Sequence, residues 1–214
     1  MIRLTHAARL WIAPGLVVGL ATWLMAGLAM TVGARAADEE FRAGRFIFSD
    51  ELGGFEILSI SGSGSHDDPV IITQRIVSLD PVTVTVRVAD PPLSSTGYQV
   101  GYVPSFVRAA VTIITVNETR LPWIGFDFEL QQSKQEPSVY SDGLSFDQIN
   151  SFSERPAAAS RFHETRRDSE PYDRLRYRDG GVNSGESVTF EFNLLDVTPV
   201  PVFYLLQQPI LPTS

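Results

Sequence analysis

The chain has 214 residues, no cysteine, and 17 basic against 25 acidic side chains, for a net charge of −8. Without cysteine it forms neither disulfides nor thiolate metal centres, so the fold must rest on its core. A surface of this sign repels phosphate backbones and anionic lipid, which sets nucleic-acid binding aside.

The first predicted element is a leader. Arg3, His6 and Arg9 lead into Leu10–Gly33, which carries no charged side chain, and Ala34-Arg35-Ala36 then precedes Ala37-Asp38-Glu39-Glu40. A basic start, an apolar middle and a small-x-small end describe a signal peptide over residues 1–36, cut after Ala36. The apolar run exceeds the usual span of about 7–15 residues. It approaches the roughly 20 that cross a bilayer, so an uncleaved N-terminal anchor is the alternative. Pro14, Gly15, Gly19, Gly27 and Gly33 interrupt the run, and the acids after Ala36 favour cleavage. The expectation is an exported protein, periplasmic or extracellular, with no stable membrane insertion once the leader is gone. Gln208–Ser214 adds no hydrophobic tail or basic stop for a sorting enzyme. Cleavage removes Arg3, Arg9 and Arg35 and no acid, which leaves 14 cations against 25 acids, a net charge of −11.

Residues 37–214 are expected to form a single domain dominated by period-two alternation, the mark of half-buried strands. In chain order the predicted strands are Phe46–Phe48, Phe55–Ile60, Val70–Val77, Val82–Val88, Val107–Val116, Ile124–Gln131, Arg174–Arg178, Val188–Leu194 and Val202–Leu206. In Val82–Val88 four valines point one way and Thr83, Thr85 and Arg87 the other. Turn chemistry separates the strands at Leu52-Gly53-Gly54, Ser61–Ser65, Asp80-Pro81, Asp90-Pro91-Pro92 and Asp179-Gly180-Gly181. This pattern predicts an all-β fold, an antiparallel β-sandwich or jelly roll of about eight strands. A parallel sheet would need crossover helices, for which there is no room. Ser145-Phe146-Asp147-Gln148 has the form of a capping box and predicts one short helix. Residues 153–173 mix Arg and acids with Pro156 and Pro171 and read as a charged surface insert.

Three kinds of chemistry come into question. A serine nucleophile needs a histidine base, and beyond the leader the chain has only His66 and His163, with no G-x-S-x-G. The string Ser61–Asp68 reads as a polar hairpin loop. Asp127 and Glu129 share one strand face, as a glycosidase carboxylate pair would, and Tyr98, Tyr102 and Trp123 are the rings available to stack on a sugar. Asp67-Asp68, Asp142-Gly143 and Asp147 could supply oxygens to Ca²⁺, but none fits a calcium loop. The expectation is no catalytic residue, no metal and no cofactor.

Arg174, Arg176 and Arg178 alternate with Leu175 and Tyr177, so three guanidinium groups share one strand face. A hairpin across Asp179–Ser187 would set this strand against Val188–Leu194, with Glu191 on the polar side. Such a ladder serves either cross-strand pairing with acids and protection of a sheet edge, or a site for a carboxylate or acidic glycan.

Thr115-Val116-Asn117-Glu118-Thr119 followed by Trp123-Ile124-Gly125-Phe126-Asp127-Phe128-Glu129-Leu130 resembles a pattern in bacterial exported β-sandwich proteins of unknown function. In those an Asn-x-Thr turn ends a strand and a Trp opens the next. The resemblance covers under a tenth of the chain beyond the leader. It implies an all-β fold in an envelope or extracellular setting and carries no catalytic residue. The sequence therefore reads as an exported, non-catalytic binding or structural protein whose partner is an envelope protein or a surface polysaccharide. The ligand-binding candidates are Arg174, Arg176, Arg178, Tyr98, Tyr102, Trp123, Asp127 and Glu129. The rival readings are a carbohydrate-binding or glycoside-cleaving jelly roll and a protein tethered by its N-terminal helix.

Overall fold

A computed structural model describes residues 41–89, 107–137, 142–146, 156–168 and 172–213. All belong to the unit Arg35–Ser214. The predicted leader, Tyr98 and Tyr102 lie outside the described residues.

Thirteen strands and no helix are found among the described residues. One sheet contains β1 (Phe41–Ala43), β2 (Phe46–Ser49), β5 (Val82–Val88), β7 (Gly125–Gln131), β10 (Phe162–Asp168), β11 (Arg174–Gly180) and β13 (Val202–Ile210). Its order is β1-β2-β5-β13-β7-β11-β10. The other contains β3 (Phe55–Ser61), β4 (Val70–Ile76), β6 (Val107–Asn117), β8 (Leu144–Ser145) and β12 (Ser187–Asp196), in the order β3-β4-β6-β12-β8, with β9 (Ala158–Ala159) also paired to β12. The architecture is a β-sandwich, with more strands among the described residues than the eight or so predicted.

The alternation decides which face is buried. Val82, Val84, Val86 and Val88 of β5 and Phe126, Phe128 and Leu130 of β7 turn inward from one sheet. Ile72, Ile113, Val188, Phe190 and Phe192 turn inward from the other. Phe190 sits at the centre, its ring 4.7 Å from Phe126, 5.0 Å from Phe128 and 5.0 Å from Tyr177. Such tilted and edge-on ring pairs add to the area they bury.

The core also holds a polar clasp. Gln74 of β4 and Gln207 of β13 face each other from opposite sheets, both fully buried. Gln74 Nε2 donates to Gln207 Oε1 at 2.6 Å and to Thr115 Oγ1 at 2.9 Å, and Gln207 Nε2 donates to Gln74 Oε1 at 3.2 Å. The reciprocal pair satisfies both amides where no water reaches them.

Several expectations are corrected. β4 and β6 pair in parallel, with Val70 opposite Val111 and Ile76 opposite Asn117. The crossover between them needs no helix, because β5 lies in the opposite sheet and carries the chain back. The predicted hairpin between Arg174–Arg178 and Val188–Leu194 does not form. β11 pairs with β7 and β10, and β12 pairs with β6, so the two strands lie in facing sheets and Glu191 is not a register partner of the arginines. The chain changes sheets between them. Asp179 adopts a positive φ of 56°, and Val182 exchanges backbone hydrogen bonds with Trp123 at 2.9 and 3.0 Å. The predicted short helix falls largely outside the described residues: Ser145 belongs to β8, where it pairs with Leu195, and Asp147 and Gln148 are not among the described residues. Within the predicted insert 153–173 the described part forms β9 and β10, and β10 pairs with β11 along its length.

Candidate functional site

The outer face of the seven-stranded sheet gathers two sets of residues that the sequence holds about fifty positions apart. Register places Arg174 opposite Glu129 and Arg176 opposite Asp127 across β11 and β7. It places Asp168, Arg166 and Glu164 of β10 opposite Arg174, Arg176 and Arg178 on the other side. Odd and even positions in three neighbouring strands thus build one charged surface.

The arginines are bound internally. Arg174 forms an ion pair with Glu129, its Nε donating to Oε2 at 2.9 Å. Arg178 grips Asp127 with both arms of its fork, Nη1 to Oδ1 at 2.5 Å and Nη2 to Oδ2 at 3.1 Å. Arg176 Nη2 lies 2.5 Å from Asp168 Oδ2, and Arg166 Nε lies 3.3 Å from Oδ1 of the same carboxylate. Bidentate geometry of this kind fixes side chains that would otherwise sweep through solvent. Gly125 makes room for it. A Cβ there would sit 3.0 Å from Arg178 Cδ and 3.1 Å from its Nη1, so any larger residue would push the guanidinium a few tenths of an ångström off its path across β7 toward Asp127.

Both carboxylates are covered, Asp127 at 8% and Glu129 at 4% exposure. Gln131 donates to Glu129 Oε1 at 3.0 Å and completes that site. The same face continues to Arg87, whose Nη2 lies 2.9 and 2.7 Å from the two oxygens of Glu51. That contact, chiefly as a hydrogen bond, holds the Glu51 carboxyl below its ordinary range. Beneath the ladder, burial pushes the Tyr177 phenol up, and the Glu191 charge adds to the effect.

Of the other predicted site residues, Trp123 is corrected. Its ring is fully buried against Phe126 at 5.4 Å and cannot stack on a sugar. It closes one end of the core beside Asn117. The Asn117 amide donates to Leu121 O and Val182 O at 3.0 Å each and accepts from Thr119 N at 2.9 Å. The Asn-x-Thr turn is therefore the corner that ties β6, the start of β7 and the β11–β12 crossing together.

Two residues of the face lie in the predicted insert 153–173 but were not singled out as site residues. Tyr172 is 52% exposed, and the Arg174 guanidinium carbon lies 5.9 Å from its ring centroid, within cation–π range. Its position two residues before Arg174 was the available signal. Asp168, the partner of Arg176, was hidden by reading its segment as a loop.

Elsewhere the residues considered for catalysis form local structure. Ser63 and Gly64 donate backbone hydrogen bonds to Asp68 O at 3.2 and 2.9 Å, and Ser65 Oγ accepts from Asp68 N at 3.1 Å. The loop is a self-closed turn between β3 and β4. It borders a shallow pocket of about 230 Å³ with Arg108 and Asn193 on the second sheet. Among the described residues no group of three His, Asp or Glu is placed to hold a metal ion. No helix among them is long and apolar enough to cross a membrane. No family model, curated protein or solved structure matches the chain.

Proposed function

We propose that this chain is an exported, non-catalytic binding or structural protein of the periplasm or extracellular space, with the outer face of β7, β11 and β10 as its recognition surface. The export half rests on residues 1–36, whose basic, apolar and small-x-small parts are those of a leader. Its partner is an envelope protein or a surface polysaccharide, and it works without a cofactor.

The observation that carries the non-catalytic half is the engagement of both candidate carboxylates. Glycoside hydrolysis needs two carboxyl groups open to a sugar, one of them able to deliver a proton. Asp127 and Glu129 are buried under Arg178 and Arg174, their oxygens already bonded. A preformed, charge-balanced surface on a rigid sheet suits docking, because the groups that recognise a partner are held in place beforehand. One observation favours the carbohydrate-binding reading as the second choice. Tyr172 offers an exposed ring beside Arg174, which would let a sugar stack while the guanidinium meets an acidic group.

Binding to an array of acidic and neutral glycans, and to purified envelope proteins, tests both readings against the variants Tyr172→Ala and Arg166→Ala. The proposal expects binding without turnover, weakened by these two changes. Undiminished binding by both variants would move the surface elsewhere, and glycan cleavage by the unaltered protein would overturn the non-catalytic reading. An intact mass beginning at Ala37 in soluble material would support export with cleavage over a retained anchor.

A further inference from the structure

We infer that β10 is a self-recognition edge that pairs antiparallel with β10 of a second copy, with Thr165 on the two-fold axis. β10 is the terminal strand of the seven-stranded sheet and pairs with β11 among the described residues. His163, Glu164, Thr165 and Arg166 are exposed along it, Arg166 with 71% of its side chain open. A seven-residue strand edge is a template for another strand unless charge forbids the pairing.

Charge here selects a register instead of forbidding all of them. A two-fold axis normal to the sheet returns each residue to the same face of the neighbouring strand, so the axis must pass through a residue. Centring on Glu164, Arg166 or Arg167 sets like charges against each other, and centring on His163 brings no opposite charges together. Centring on Thr165 sets Glu164 against Arg166 of the second copy, and Arg166 against its Glu164, with threonine facing threonine between them. Opposite charges and threonine pairs directly across an antiparallel ladder both stabilise it. The two-fold makes the Glu164–Arg166 contact occur twice, with the threonine pair once between them.

The monomer leaves a reason for this pairing. Arg166 stands opposite Arg176 across β10 and β11, a like-charge neighbour, and shares Asp168 with it. A Glu164 carboxylate from the second copy would lie on the open side of Arg166 and extend the alternation outward from Asp127 through the arginines. The favoured occupant of this edge is therefore a second copy of the chain.

Sedimentation velocity on the purified protein at up to about 100 µM tests this. The unaltered protein is expected to show a reversible dimer. Glu164→Arg alone and Arg166→Glu alone each set like charges together twice and should weaken self-association about 10-fold or more. An equimolar mixture of the two variants should form a heterodimer. There the introduced arginine of one chain meets the introduced glutamate of the other, and the retained Arg166 of the first meets the retained Glu164 of the second. Far-UV circular dichroism confirms that these exposed changes leave the fold intact. A monomer throughout the concentration range, a dimer indifferent to both reversals, or a mixture that fails to associate would each overturn the proposal.

Discussion

Replacing Gln207 by Leu should unbalance the core more than its change in size suggests. The substitution leaves Gln74 Oε1 without its donor and one Gln74 N–H without its acceptor, while the Gln74–Thr115 bond survives. Each abandoned buried group costs about 1–3 kcal/mol, or roughly 2–6 kcal/mol for the two. Leucine offers about two more apolar groups than the glutamine stem, returning roughly 1.6 kcal/mol. The net loss is about 2 kcal/mol, a large share of the ~5–15 kcal/mol that holds a domain folded. Gln74→Leu should cost at least as much, because it orphans the Gln207 amide and also removes the donor to the buried Thr115 hydroxyl. The double variant removes both amides and leaves only the Thr115 hydroxyl without its former donor, so it should cost clearly less than the sum of the two single losses. Urea denaturation followed by far-UV circular dichroism measures all four proteins. Additive losses in the double variant would refute the reasoning, and so would two neutral single variants.

Other consequences follow from the charged face and the core. Arg174→Met strands the covered Glu129 carboxylate and should cost about 3 kcal/mol in denaturant, the low end for a broken buried pair because Arg174 is partly exposed. Glu129→Gln should cost less, and a larger loss from it would contradict this ordering. With Trp11 and Trp23 changed to Phe, the emission of Trp123 should resist acrylamide until unfolding, since its ring has no exposure; easy quenching in the folded protein would contradict its place in the core. Asp196 is held above its ordinary value of 3.8, first by burial and also by the charge of Asp142. The folded state therefore binds this proton more tightly than the unfolded chain. The stability it contributes is full below 3.8 and fades as pH rises through the folded value. Asp196→Asn should accordingly cost more in denaturant near pH 3.5 than at pH 7, and an equal cost at both would refute the assignment.

Alternating segments were legible because a half-buried strand writes its two faces into its own residues. Val82–Val88 and Val188–Leu194 needed no knowledge of their partners. β10 was not legible for the converse reason. Phe162–Asp168 is an edge strand with little apolar pattern, and its conformation is set by pairing with β11. The arginine ladder was legible as one face, and cross-strand pairing was among its stated uses. Its partners were not readable, since Asp127 and Glu129 meet it only through the strand order. Trp123 illustrates the opposite limit: its residue type suggests a sugar platform as readily as a core plug, and only the corner built by Asn117 and Val182 decides between them.

The pairing of β7 with β11 is the claim on which the site depends, and the absence of native thiols allows it to be tested directly. In Asp127→Cys/Arg176→Cys the two Cβ atoms face each other across neighbouring strands, within the range a disulfide bridges. Oxidation followed by a free-thiol titration should find that pair closed in the folded protein. The companion variant Arg176→Cys/Glu191→Cys, which the hairpin expected from sequence would join, should keep both thiols. The reverse result would contradict the strand order and the charged face built on it.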